Sequence, residues 1–272
     1  MNDSAIGVFD SGVGGLTCVK ELIRLLPNEN IVYLGDTARV PYGTRSKEII
    51  VEYSKQDIAF LEKYNVKMVL IACGTVSSVL VSNPLFEGTS IKEYSGVIIP
   101  AVHTACASTK NKKIGVIGTP ATIKSGAYGK AIHAVNADIR VVGKACPMFV
   151  PLVENGYTSP DCEVTKLIAR EYLDVMKREE VDTLIMGCTH YPMLKEIIAD
   201  IMGDKVKLIS PGEETAKYAK KVLAYKDQLA DRKEPGYLKL YCTDSVSMFS
   251  ENVEAFLGKN INGEIYKCNL TV

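Results

Sequence analysis

Short runs that are apolar on both faces recur along this chain, each separated from the next by a longer amphipathic run. This alternation restricts the fold more than any other feature. The short runs are AIGVFD (5–10), NIVYLGD (30–36), VKMVLIA (66–72), GVIIP (96–100), KKIGVIG (112–118), DIRVVGK (138–144), VDTLIMG (181–187), KVKLIS (205–210) and YLKLYC (237–242). A strand apolar on both faces must be covered on both faces, as parallel strands between helices are. The runs LTCVKELIRLL (16–26), SKEIIVEYSKQDIAFLEKY (46–64) and SPDCEVTKLIAREYLDVMKREE (159–180) carry helical periodicity. In the last, Ser159 fits an N-cap, Pro160 the first turn, and Glu163 a favourable charge near the helix start. The expectation is an α/β fold with mostly parallel sheets.

The pattern also repeats. VKMVLIACGT (66–75) aligns without gaps on VDTLIMGCTH (181–190), placing Cys73 on Cys188. Upstream, IGVFDSG (6–12) resembles IGVIGTP (114–120). A chain of 272 residues permits one large domain or two of ordinary size. The duplication predicts two pseudo-symmetric α/β/α domains facing each other across a cleft. The first is expected over 1–99 plus 210–272, a discontinuous domain carrying Asp10 and Cys73. The second is expected over 100–209, carrying Cys188 and His190. Ligands of open α/β sheets bind beyond the carboxyl ends of the strands, where Asp10, Ser11, Cys73, Thr119 and Cys188 all fall.

Composition removes several functional classes. Lysine plus arginine number 32 and aspartate plus glutamate 32, so there is no electrostatic case for nucleic acid or an anionic membrane as partner. No apolar run approaches the ~20 residues of a membrane span, and the N-terminus has no secretion-signal pattern. The eight cysteines are scattered, with no CxxC pair, and read as reduced thiols of a cytoplasmic protein. Only Cys188 and His190 come near metal-ligand spacing, so no metal is expected.

Cysteine is often just a small buried hydrophobe. Cys73 and Cys188 stand apart because they occupy equivalent places in the repeat, are followed by small or polar residues, and have polar neighbours fit to tune a thiol. Asp10 is placed to orient or activate Cys73, and His190 to share a proton with Cys188. Ser11 and nearby backbone N–H groups suit a carboxylate ligand. Tyr42 and Gly43, in DTARVPYGTRS (36–46), offer an aromatic wall and backbone donors. Glu154, in FVPLVENG, follows an apolar stretch and falls at a cleft edge.

Together, IGVFDSGVGGLT (6–17), YLGDTARVPYGTRS (33–46), LIACGT (70–75), GVIIPAV (96–102), GVIGTPATIKSGAY (115–128), PLVENG (151–156), MGCTHYPML (186–194) and ISPGEETA (209–216) resemble the glutamate racemase family. The resemblance implies a two-domain enzyme, a homodimer, that interconverts L- and D-glutamate without a cofactor and supplies D-glutamate for bacterial peptidoglycan. It implies Cys73 and Cys188 as the two acid/base thiols, with Asp10, Glu154 and His190 tuning them. Ser11, Tyr42, Gly43, Gly74, Thr75, Thr119, Thr122 and Thr189 fall on substrate-contacting positions. One position departs: the family's usual asparagine after the first cysteine is Gly74 here, which removes a side-chain amide donor. A racemase acting on another acidic amino acid such as aspartate, and a non-catalytic binding protein for an acidic metabolite, are the alternatives.

Overall fold

The computed structural model describes residues 3–80, 83–259 and 261–270. Its strands form two sheets. The first takes β1 (Ile6–Asp10), β2 (Ile31–Gly35), β3 (Met68–Ile71) and β4 (Tyr94–Gly96), then β9 (Leu238–Cys242) and β10 (Glu264–Lys267) from the far end of the chain, in the order β10-β9-β2-β1-β3-β4. The second holds β5 (Lys113–Gly118), β6 (Arg140–Ala145), β7 (Thr183–Met186) and β8 (Lys207–Ile209), in the order β6-β5-β7-β8. Every pairing is parallel. Burial follows position: the central strands β1, β2, β3 and β7 are buried throughout, whereas the edges β6 and β10 are largely open.

Helices cover both faces of each sheet. On the first sheet, α1 (Leu16–Leu25), α10 (Pro211–Tyr225) and α11 (Val246–Leu257) pack on one face, with α2 (Lys47–Glu62) and α3 (Gly74–Leu80) on the other. On the second, α7 (Phe149–Glu154), α8 (Glu163–Arg178) and α9 (Lys195–Met202) face α4 (Ile98–Ser108), α5 (Pro120–Ser125) and α6 (Ala127–Val135) across the strands. One apolar cluster runs without a break from Ile6 and Val8 of β1, through Leu16 and Leu22 of α1, to Met186 and Tyr191 beyond β7. The two sheets are distinct, but their packing is shared.

The duplication is visible in the ladders. β1 pairs β3 with Gly7 opposite Val69, and β5 pairs β7 with Gly115 opposite Leu184. The spatial order β2-β1-β3-β4 is repeated as β6-β5-β7-β8. The packing around the two glycines is repeated too. A Cβ on Gly7 would meet Val66, Leu61 and Val69 at 3.2–3.3 Å, and one on Gly115 would meet Val181 at 3.2 Å, Met176 at 2.7 Å and Leu184 at 2.8 Å. Each member of the second set lies 115 residues beyond its counterpart in the first. In both halves a helix side chain, Leu61 or Met176, packs closely over the glycine, and the fit is tighter over Gly115.

Two sequence expectations need correction. GVIIP (96–100) is not a strand: β4 ends at Gly96 and α4 begins at Ile98. α4 packs on β7, β8, α6 and α10 and is apolar on most sides, so periodicity cannot separate it from a buried strand. Pro100 is tolerated because N–H groups in a first turn have no helical acceptor. Ser159 does not cap α8 either; Cys162 is the N-cap, and Ser159 Oγ instead accepts from Asp161 N–H at 3.3 Å within the preceding turn. Glu163 does stand in the first turn of α8.

The glycine contacts predict an order of tolerance. Gly115→Ala drives a methyl onto Met176 and Leu184 and should cost about 1–3 kcal/mol, the range for overpacking a core, whereas Gly7→Ala meets only its looser contacts and should cost less. Urea unfolding of the two variants checks this, and equal losses would contradict the packing difference.

Candidate functional site

A cleft of about 740 Å³ opens at the carboxyl ends of the central strands of both sheets. All thirteen residues singled out in the sequence line it: Asp10, Ser11, Tyr42, Gly43, Cys73, Gly74, Thr75, Thr119, Thr122, Glu154, Cys188, Thr189 and His190. The strands explain the convergence. β1 ends at Asp10, β3 is followed by Cys73 at the start of α3, β5 is followed by Thr119, and β7 is followed by Cys188. Matching ladder registers therefore present one thiol from each sheet.

The thiols sit in different surroundings. Cys73 is 5% exposed, at the margin of the core between the first sheet and α2. Burial pushes its pKa up to about 12, and the neighbouring charge of Asp10 adds to the rise. The Ser11 hydroxyl, 3.5 Å from Cys73 Sγ, and the backbone N–H groups of Val76 and Ser11 pull the other way. Asp10 is itself buried, and burial raises its pKa too. The charge of His190 and the N–H of Gly15, which donates to Asp10 Oδ2 at 2.8 Å, oppose that rise.

Cys188 is half-buried and starts a relay: its Sγ lies 3.9 Å from His190 Nδ1, and His190 Nε2 lies 3.0 Å from Glu154 Oε1. Burial alone would lower the pKa of His190. Its hydrogen bonds and charge interactions with Cys188 and Glu154 outweigh burial and push it up to about 10. The imidazole, whose cationic form is favoured, stands between the Cys188 sulfur and the Glu154 carboxylate. Phe256, from α11, packs perpendicular to the imidazole with ring centroids 5.8 Å apart.

The remaining lining is neutral and rich in donors. Thr119 caps α5, accepting from Thr122 N–H at 3.3 Å, and the two threonine hydroxyls lie 3.0 Å apart. The phenol of Tyr42 is turned out of the cleft and donates to Asp36 Oδ2 at 2.5 Å, so Tyr42 contributes its ring and backbone and not its hydroxyl. Among the described residues, no lysine or arginine lines the cleft. Nor does any group of three or more Cys, His, Asp or Glu side chains stand close enough to share a metal ion. Met248 and Asn252 of α11 also line the cleft, although nothing in their local sequence marks them.

The two walls meet through small residues. Thr17 Oγ1 lies 2.9 Å from the carbonyl oxygen of Thr189, and a Cβ on Gly14 would fall 2.5 Å from His190 Nδ1. The turn into α1 is therefore packed directly against the Cys188–His190 segment. No local pattern reveals these contacts, since the partners of Gly14 and Thr17 lie more than 170 residues away.

The sequence pattern of the Asp/Glu/Hydantoin racemase family matches residues 6–219. A glutamate racemase of Geobacter metallireducens is 43% identical over 266 residues, which is 98% of this chain and 97% of that protein. Among solved structures, the RacE1 isoform of glutamate racemase from Bacillus anthracis superposes with a TM-score of 0.92 at 39% identity, covering 99% of both chains. A glutamate racemase of Francisella tularensis, solved with D-glutamate, gives a TM-score of 0.88 at 38% identity, covering 99% of both chains. With this likeness running over the whole chain, and its thiols at matching strand ends, the chain belongs to the Asp/Glu/Hydantoin racemase family and is an isomerase.

Proposed function

We propose that the enzyme interconverts L- and D-glutamate by a two-base mechanism in which Cys73 and Cys188 exchange protons with opposite faces of the α-carbon. The observation that carries this reading is the pair of thiols at equivalent ends of β3 and β7, both lining one cleft. Inversion needs one proton removed and another delivered from the other side. A thiolate on one wall and a thiol on the other do both without either group moving, and they swap roles with the direction of reaction. The 43% identity to a glutamate racemase favours glutamate over aspartate.

The lining suits an acidic amino acid. Ser11, Thr75, Thr119, Thr122 and Thr189 supply hydroxyls for its carboxylates, and Tyr42 and Gly43 supply backbone. Because the α-hydrogen lies next to a carboxylate that is already negative, those donors must be positioned to take up the charge that develops as the proton leaves. The two half-sites differ in their tuners. His190 gives Cys188 a cationic neighbour, while Asp10 gives Cys73 a carboxylate. The resemblance to glutamate racemases, and not this asymmetry, assigns Cys188 as the base for L-glutamate and Cys73 as the base for D-glutamate. Glu154 anchors the imidazolium.

In the same reading the enzyme acts as a homodimer in the bacterial cytoplasm and supplies D-glutamate to peptidoglycan, with residues 1–99 plus 210–272 and 100–209 as its two domains. All eight cysteines are free thiols, which accords with a reducing compartment. Among the described residues, no helix is long and apolar enough to cross a membrane.

The first test is L-glutamate in deuterated water, followed by optical rotation and by α-proton loss; both should change together, and no change in either would sink the proposal. Cys73→Ser should mainly abolish proton loss from D-glutamate and Cys188→Ser that from L-glutamate, so equal loss of both half-reactions in both variants would remove the facial assignment. A third test concerns pH. A histidine whose pKa rises from 6.5 unfolded to about 10 folded stabilises the fold fully below pH 6.5, and that contribution is lost as pH rises towards 10. Glu154→Gln should therefore lower the melting temperature more at pH 6 than at pH 10; a larger loss at pH 10 would contradict a cationic His190.

A further inference from the structure

A buried polar network stands behind one wall of the cleft and takes no part in the chemistry above. Asp36, just past β2, and Asp57, in α2, are fully buried. Arg39 ties them together: Nε donates to Asp36 Oδ2 at 2.5 Å, Nη2 to Asp57 Oδ1 at 3.3 Å, and Nη1 to Gln56 Oε1. Its guanidinium lies flat over Tyr53, 4.1 Å from the ring centroid. Tyr42 Oη sits between the two carboxyl groups, 2.5 Å from Asp36 Oδ2 and 3.1 Å from Asp57 Oδ2. Thr243, just past β9, donates to Asp36 Oδ1 at 2.9 Å.

Arg39 does not line the cleft, but its neighbours in the 36–46 segment do: Thr37, Val40, Pro41, Tyr42, Gly43 and Thr44. This strap has no sheet partner of its own; two short 3₁₀ turns, Thr37–Arg39 and Tyr42–Thr44, are its only regular structure. Its position therefore depends on side-chain anchors. Burial and the charge of Asp36 raise the pKa of Asp57 well above the usual carboxylate range, and the charge of Arg39 opposes that rise. The Tyr42 hydroxyl thus has a carboxyl oxygen from each side as acceptor, Asp36 Oδ2 the nearer and Asp57 Oδ2 the farther.

We propose that Arg39 is a positioning residue: by clamping the strap to α2, it holds the Tyr42–Gly43 backbone at the cleft and sets affinity for the acidic substrate, not the rate of proton transfer. The proposal rests on the cleft being the glutamate site. Only the planar, forked guanidinium reaches three acceptors while stacking on a ring; lysine keeps the charge and loses the fork.

The test compares full-length wild type with Arg39→Lys and Gln56→Ala. It measures KM and kcat for L-glutamate and backbone hydrogen exchange across residues 37–46. Arg39→Lys should raise KM about tenfold, the scale of one or two charge-assisted hydrogen bonds, with kcat within about twofold of wild type and faster exchange confined to the strap. Gln56→Ala removes one acceptor and leaves the charges, so it should shift KM in the same direction by a smaller factor. Unchanged KM in both variants, or a fall in kcat at constant KM, would overturn the role of Arg39. An inactive wild type would overturn the glutamate reading and this proposal together, whereas an active wild type with indifferent variants overturns this proposal alone.

Discussion

The register between two pairs of parallel strands governs the rest of this molecule. β1 lies on β3 and β5 lies on β7 in equivalent alignment, with Gly7 opposite Val69 and Gly115 opposite Leu184. Parallel pairing sets all the strand carboxyl ends at one edge of a sheet, and that edge is where α/β folds place their ligands. Because the alignments match, Cys73 and Cys188 emerge at the same height in their two sheets. A slip of one residue in either ladder would turn its side chains to the opposite face and remove a thiol from the cleft. At equivalent places in the two ladders, Gly7 and Gly115 leave room for the side chains packed over them.

On this symmetric frame the chemistry is asymmetric. The ladder that places Cys73 on Cys188 also places Ser11 on Thr119, both small hydroxyls lining the cleft. It pairs Asp10 with Gly118, however, and Thr75 with His190. The two thiols are thus duplicated and their electrostatic partners are not. A racemase has no net driving force to exploit, so its two half-sites need not be alike. In the proposed two-thiol mechanism, each must only hold its thiol in the protonation state that the other half requires. Burial and a carboxylate keep the proton on Cys73, and the cationic relay from Glu154 through His190 stands beside Cys188.

Much of this was legible in the sequence, for reasons that can be named. Central strands buried on both faces leave continuous apolar runs, and eight of the nine runs are strands. Residues that end such strands face the ligand edge, which is how Asp10, Cys73, Thr119 and Cys188 could be picked out. What stayed hidden depends on packing between distant segments. α4 is buried from several directions and so imitates a strand. β10 is an exposed edge with the sequence EIYK, in which charge interrupts any apolar run. Met248 and Asn252 reach the cleft only because α11 folds back against α1, and Gly14 matters only because His190 is brought onto it. The Tyr42 phenol was legible as an aromatic near the site, but its turn towards Asp36 was not.

Gly74 shows how a local departure and the global geometry constrain each other. A Cβ there would meet the carbonyl oxygen of Gly187, on the opposite wall, at 3.0 Å, so that wall would have to give by a few tenths of an ångström. Gly74 immediately follows Cys73 and Gly187 immediately precedes Cys188, so any such shift is applied to the two thiols themselves. With glycine at position 74, no Cβ stands against the Gly187 carbonyl oxygen across the cleft. Proton transfer depends steeply on the distance between each sulfur and the α-carbon. The thiol spacing therefore ties the identity of residue 74 to that of residue 187, and neither can be judged as a binding contact alone.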